Sequence, residues 1–239
     1  MKPTDSQPLR HPALLLEGGN EFRGAMEEAD RAALRAAAPG PVTIVPAAAV
    51  PEGGQVQAGA NGVRWFKALG AADARSTGWI DGSSQADAAI ADAVAASGFI
   101  FLTGGSPRYL AEALQGSRVW SAMRGAHAAG AVLGGSSAGA MVLCEAYYDP
   151  SAGRVMPGLG LLPKICILPH HDTFGRGWAP HIERQAKGVL PVGIDEETGM
   201  MNDGPDGLWT VYGKGAVTVC AAGGTAVYRR GDRLELPVR

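Results

Sequence analysis

The sequence predicts an α/β protein, with a mostly parallel sheet, helices on both faces in a flavodoxin-like three-layer sandwich, and a C-terminal antiparallel meander. Three observations carry this. Short apolar runs alternate with alanine-rich helical stretches, the order of repeated strand–helix units. The clearest run, Phe99-Ile100-Phe101-Leu102, is continuously apolar, as a parallel strand covered on both faces must be. From Leu208 the pattern shortens into alternating runs broken at Gly213, Gly215, Gly223-Gly224 and Gly231-Asp232, which reads as a meander.

The elements follow in order. Residues 13–16 form the first strand, and Gly18-Gly19 just after it suit either backbone approach to a ligand or a tight turn. Residues 24–38 read as a helix stopped by Pro39-Gly40. Residues 42–46 are a strand, 55–62 a loop, 63–69 a short helix and 76–80 a third strand. A helix over 86–96 leads to the strand 99–103, which ends in Gly104-Gly105-Ser106-Pro107. Helical stretches around 109–114 and 120–129 precede the central strand. Beyond it, residues 164–168 are a strand that delivers Pro169-His170-His171-Asp172. Residues 180–190 are a helix, and 192–196 a strand ending in acid.

Bulk properties narrow the function. Without a linker or internal repeat, residues 1–239 read as one domain, with 1–11 a polar tail lacking the apolar core of a signal peptide. A net charge of −2 gives no reason to expect nucleic acid or an anionic membrane as partner. No apolar run is long enough to span a bilayer. Cys144, Cys166 and Cys220 are scattered without metal spacing, which argues against zinc and disulfides and for a reducing cytoplasm.

The chemistry centres on Gly135-Ser136-Ser137-Ala138-Gly139, a G-x-S-x-G pattern between an apolar run and an alanine-rich helix. A serine at the tip of a strand-to-helix turn takes strained backbone angles, so its neighbours must be small. Ser137 is the candidate nucleophile, and the amide of Ala138 the candidate oxyanion donor. Gly105, ending the neighbouring strand, is the candidate second donor, with Gly104 beside it. A glycine-rich turn that only lets a helix pack on a sheet is the plainer reading of either signal.

His170 is the candidate general base, because it lies at a strand end where an imidazole can reach Ser137. The adjacent His171 competes for that role, although strand alternation puts the two on opposite sides. Two carboxylates compete as the acid: Asp149 fits the Ser…Asp…His order of α/β-hydrolases, while Glu196 ends a strand after the histidine. One acid can orient the imidazole while another binds the amino end of a substrate. His170, His171 and Asp172 do not suggest a metal site, because adjacent residues diverge.

Gly135-Ser136-Ser137-Ala138-Gly139-Ala140 resembles the nucleophile motif of the cyanophycinase and dipeptidase E (aspartyl dipeptidase) family of serine peptidases. The resemblance extends in order through residues 14–22, 101–105, 168–170 and 193–198. It implies a fold similar to class I glutamine amidotransferases, with serine in place of cysteine and no cofactor. Carried over, Ser137 is nucleophile, His170 base, and Gly105 and Ala138 the oxyanion amides. The acid falls near Asp149 in dipeptidase E-like members and at Glu196 in cyanophycinase-like ones. Gly104, His171 and Arg176 fall where substrate is held. Where cyanophycinases carry an acid and a glutamine after the glycine pair, this chain has Ser106-Pro107-Arg108. Where they carry Asp-Gln before the histidine, it has Leu168-Pro169, so the resemblance does not reach cyanophycin as substrate.

The expected activity is hydrolysis of a small peptide, isopeptide or amide. Relatives are often dimers, so a homodimer stands beside a monomer. Two rivals keep the fold: an amidotransferase-like enzyme, disfavoured by the missing elbow cysteine, and a binding protein that retains the elbow as architecture.

Overall fold

The computed structural model describes residues 12–77, 86–221 and 224–237; the tail 1–11 and residues 78–80 of the expected third strand lie outside them. The chain runs β1 (Leu14–Glu17), α1 (Met26–Ala36), β2 (Val42–Val45), α2 (Gln55–Ala68), β3 (Ala74–Ser76), α3 (Ala86–Ala95) and β4 (Phe99–Leu102). It continues through α4 (Pro107–Leu114), α5 (Arg118–Ala128), β5 (Val132–Ser136) and α6 (Ala138–Val142). Next come β6 (Ala146–Asp149), β7 (Arg154–Pro157), β8 (Ile165–Leu168), α7 (Ala179–Gln185), β9 (Leu190–Ile194) and β10 (Thr198–Met201). The chain closes with β11 (Trp209–Gly213), β12 (Ala216–Ala221), β13 (Gly224–Arg229) and β14 (Arg233–Leu234).

The main sheet has the order β14-β11-β10-β1-β5-β4-β2-β3. Its strands β1 to β5 are parallel, and β10, β11 and β14 add an antiparallel flank. Alternate residues of each central strand enter different cores. Leu15, Phe99, Phe101 and Val132 pack with α1 and α2 on one face. Leu14, Leu16, Ile100, Leu102 and Leu133 pack with α3 to α6 on the other. Burial on both faces is why these strands are apolar throughout. Phe66 of α2 meets Phe99 and Phe101 edge-on at 5.2 and 5.7 Å, the contact geometry that adds about 0.5–1.5 kcal/mol per pair beyond area burial.

Two expectations are corrected. The segment 55–62 is the first half of α2 rather than a loop. Its glycines serve packing: a Cβ on Gly59 would lie 2.3 Å from Ser76 Oγ, and one on Gly62 2.7 Å from Ile44 Cγ1. Glycine lets this helix sit close on β2 and β3, at a cost in helix propensity that tertiary contact offsets. The C-terminal meander, in turn, is divided. β11 and β14 join the main sheet, whereas β12 and β13 extend a second sheet of order β13-β12-β9-β8. Residues 146–157 form the hairpin β6–β7.

One buried feature sets a pH dependence. Glu17 at the end of β1 and Asp30 of α1 are both fully buried, and Asp30 accepts a 2.7 Å bond from Trp65 Nε1. Both oxygens of Glu17 and Oδ1 of Asp30 face no donor, so the pair is satisfied only when one carboxyl is protonated. Burial pushes Asp30 up to about 7 and holds Glu17 well above the usual carboxylate range. Carboxyls whose folded pKa is raised stabilise the native state below their unfolded value of about 4, and that stability is lost as pH rises through the folded value. The urea midpoint should therefore fall from pH 5 to pH 8, and fall less in Asp30→Asn. Equal slopes in the two proteins would contradict this account.

Candidate active site

The site lies where the two sheets meet. β1, β4 and β5 of the main sheet end beside the segments that follow β8 and β9 of the second. The Gly18-Gly19 pair stitches these ends together. Gly18 N donates to Thr198 O, His170 N donates to Gly18 O, and Glu197 N donates to Gly19 O. A Cβ on Gly18 would stand 2.1 Å from Asp195 O, and Gly19, at φ 123°, would place one 2.2 Å from His170 Cε1. The pair thus admits close approach by protein, where a ligand or a simple turn had seemed the alternatives.

Ser137 sits between β5 and α6 at φ 48°, ψ −113°, a region that costs a non-glycine residue roughly 1–3 kcal/mol. Its backbone is pinned at both ends, with Ser137 N donating to Glu17 O at 3.0 Å and Met141 N donating to Ser137 O at 3.0 Å. Small neighbours allow the reversal. A Cβ on Gly135 would lie 2.5 Å from Gly139 C, and one on Gly139 2.3 Å from Leu102 O.

A continuous hydrogen-bonded chain leads from this serine. Ser137 Oγ is 3.0 Å from His170 Nε2, and His170 Nδ1 is 2.9 Å from Glu196 Oε1. An ionised carboxylate only accepts, so Nδ1 carries the proton and Nε2 is free to accept from the serine hydroxyl. Glu196 is itself held: Asn20 Nδ2 donates to its Oε2 at 2.6 Å, and its backbone amide donates to Asp172 Oδ1 at 2.9 Å. His170 turns out of its strand at φ 49°, which aims the ring at the main sheet.

The other candidates lie elsewhere. His171 points away, buried against Gly193, with Nδ1 3.7 Å from Asp195 Oδ1. Burial lowers its pKa, and Asp195 opposes the shift. Asp149 is buried at the end of β6, where its Oδ1 accepts from Ser151 N and Oγ and from Ala152 N. Both ring nitrogens of His170 are already taken by Ser137 and Glu196, which leaves none for Asp149. Arg176 is exposed on a short 3-10 turn (Gly175–Trp178) and does not line the cleft at Ser137.

That cleft holds about 770 Å³ and is lined in part by Glu21, Arg64, Trp65, Gly105, Ser137 and His170. Among the described residues, the amides of Gly105 and Ala138 donate to no protein acceptor. The Gly104 amide is occupied, since it donates to Glu21 Oε1 at 2.9 Å, and Ser136 Oγ donates to Glu21 Oε2 at 2.9 Å. Glu21 and Asn20 escaped the sequence reading. They follow a strand in a polar turn, and no spacing rule links them to residues 104, 136 or 196.

Comparison with known proteins gives the class: the protein is a serine-peptidase-type hydrolase. The chain belongs to peptidase family S51, whose model matches residues 14–204. A crystal structure of a peptidase from an acI-B1 Actinobacterium superposes with a TM-score of 0.82 at 21% identity, covering 95% of this chain and 97% of that one. A putative peptidase E protein from Listeria monocytogenes EGD-e gives a TM-score of 0.59 at 15% identity, covering 91% and 98%. At these identities the likeness is one of fold. No curated protein matches the sequence.

Proposed function

We propose that this protein hydrolyses small peptides or isopeptides through an acyl-enzyme on Ser137, with His170 as general base and Glu196 as its orienting acid. The observation that carries the reading is the hydrogen-bonded sequence Ser137–His170–Glu196 ending on a strained serine. His170 Nε2 takes the hydroxyl proton as Oγ attacks the carbonyl, and Glu196 stabilises the imidazolium. The oxyanion is received by the free amides of Gly105 and Ala138. His170 then gives its proton to the leaving nitrogen as the C–N bond breaks. In the second half it takes a proton from water, whose oxygen attacks the acyl carbonyl, and returns that proton to Ser137 Oγ as the bond to Oγ breaks.

Glu21 narrows the substrate. A carboxylate fixed next to the serine and the oxyanion donors works against the charge that develops there unless a cation offsets it, and Arg23 and Arg64 of the cleft can share that role with a cation of the substrate. A free ammonium group close to the scissile carbonyl supplies that cation, so we read the substrate as one cleaved near an amino end.

The test is intact-mass analysis after treatment with a fluorophosphonate probe. One adduct is expected on the parent protein and none on Ser137→Ala. An unlabelled parent that is folded, or a labelled Ser137→Ala, would overturn the assignment.

A further inference from the structure

The aromatic residues beyond His170 have no part in the proton transfers above. Phe174 stacks on the His170 ring with centroids 4.8 Å apart and planes at 24°, yet it is 55% exposed. Trp178 follows at 5.5 Å from Phe174, and Tyr148 packs on Trp178 at 5.2 Å. The exposed part of the Phe174 ring is apolar surface beside a reacting group, and covering it with an apolar group of the substrate is favourable.

The loop that carries Phe174 is built to hold it there. Thr173 N and Gly175 N both donate to His170 O, at 3.0 and 2.9 Å, and Thr173 Oγ1 donates to the same oxygen. Gly175 lies so close to Pro169 that a Cβ would stand 1.9 Å from its carbonyl oxygen. Phe174 is therefore presented on a turn tied to the histidine's own backbone, and its place does not depend on distant packing.

Its position relative to the cleft gives the direction. The cleft reaches Ser137 and His170 from the side of residues 20–23 and 49–68, and it contains Glu21 and Gly105. Among the described residues its lining does not include Phe174 or Trp178. The side of the scissile bond that carries the ammonium and the carbonyl oxygen belongs with Glu21 and the oxyanion amides. The departing nitrogen belongs with His170 Nε2, which protonates it, and the group attached to that nitrogen must extend past the imidazole.

We propose that Phe174, backed by Trp178, is the leaving-group subsite, and that it selects amines carrying an apolar or aromatic side chain. This rests on the acyl-enzyme reading and adds to it which residue follows the cleaved bond. Phe174 is a specificity residue, touching the substrate's departing half, and not a proton carrier. Tying the subsite to the base couples recognition to chemistry, because a side chain seated on Phe174 brings its nitrogen to His170.

The test uses the reverse of amine departure. The protein is acylated with p-nitrophenyl acetate, and the acetyl-enzyme is partitioned between water and added glycinamide, leucinamide or phenylalaninamide. Each amine nitrogen attacks the ester carbonyl, the bond to Ser137 Oγ breaks, and His170 carries the amine proton to Oγ. The native protein should transfer acetyl to leucinamide and phenylalaninamide about tenfold better than to glycinamide, the range expected for seating a side chain in an apolar site. Phe174→Ala should bring the ratios close to one, and Phe174→Tyr should restore them. Each ratio is internal to one protein, so slower acylation in a variant leaves it readable. Equal transfer to all three amines by the native protein, or an undiminished ratio in Phe174→Ala, overturns the subsite while leaving the acyl-enzyme intact. Failure of both the ester and the fluorophosphonate to modify Ser137 overturns the acyl-enzyme and the subsite with it.

Discussion

Replacing His170 with alanine is expected to slow phosphonylation of Ser137 by about 10²–10⁴-fold, the contribution of a well-placed general base. The argument is geometric. Ser137 Oγ has one described hydrogen-bond partner, His170 Nε2 at 3.0 Å, so removing the ring leaves the hydroxyl with no base to accept its proton. A compensating base is not at hand, since His171 faces Gly193 and Asp195. Glu21 is engaged by Gly104 N and Ser136 Oγ. The fold should tolerate the change, because Gly18 O takes the backbone amide of residue 170 and not its ring. The measurement is the second-order labelling rate by intact mass, with thermal unfolding of each variant to establish that it is folded. A His170→Ala protein that labels within tenfold of the parent would show that the imidazole is not the base.

How far the sequence reveals this site depends on the range of the interactions. The elbow is legible because its constraint is local: a serine with positive φ needs Gly135 and Gly139 within two residues on either side. The parallel sheet is legible for a similar reason, as burial on both faces leaves runs such as Phe99–Leu102 without polar residues. The division into two sheets is not legible. Nothing in the spacing of β8, β9, β12 and β13 says that they pair with one another and not with β1 or β5. Yet that division is what makes the site. Ser137 comes from one sheet, while His170 and Glu196 come from the other, across loops held by Gly18 and Gly19. Chain order was equally unhelpful for the acid. Asp149 precedes His170 and Glu196 follows it, and only the tertiary fold distinguishes an acid that caps its own turn from one that faces the imidazole. Asn20 and Glu21 lie further out of reach, because their partners are 176 and 83 residues away.

Glu196→Gln should cost about 10⁴-fold in the phosphonylation rate, near the loss known for an amide in the place of a triad carboxylate. The physical reason is the tautomer. Glu196 Oε1 accepts the proton on His170 Nδ1 at 2.9 Å, and its other oxygen accepts from Asn20 Nδ2 at 2.6 Å. A glutamine can satisfy Asn20 with its carbonyl only by turning its amide group toward Nδ1. It then donates there, the ring proton moves to Nε2, and the nitrogen facing Ser137 becomes a donor that cannot accept the hydroxyl proton. Glu196→Ala lacks that wrong donor and should lose no more than the glutamine variant, although its ring is unanchored. Asn20→Ala together with Glu196→Gln should recover part of the rate, because the amide is then free to present its oxygen to Nδ1. Asp149→Asn supplies the control. Its carboxylate holds the turn at Ser151 and Ala152, so the variant should label within about twofold of the parent, while its thermal midpoint falls. If Asp149→Asn were as slow as Glu196→Gln, or if Glu196→Gln labelled at the parent's rate, Glu196 would not be the acid that orients His170.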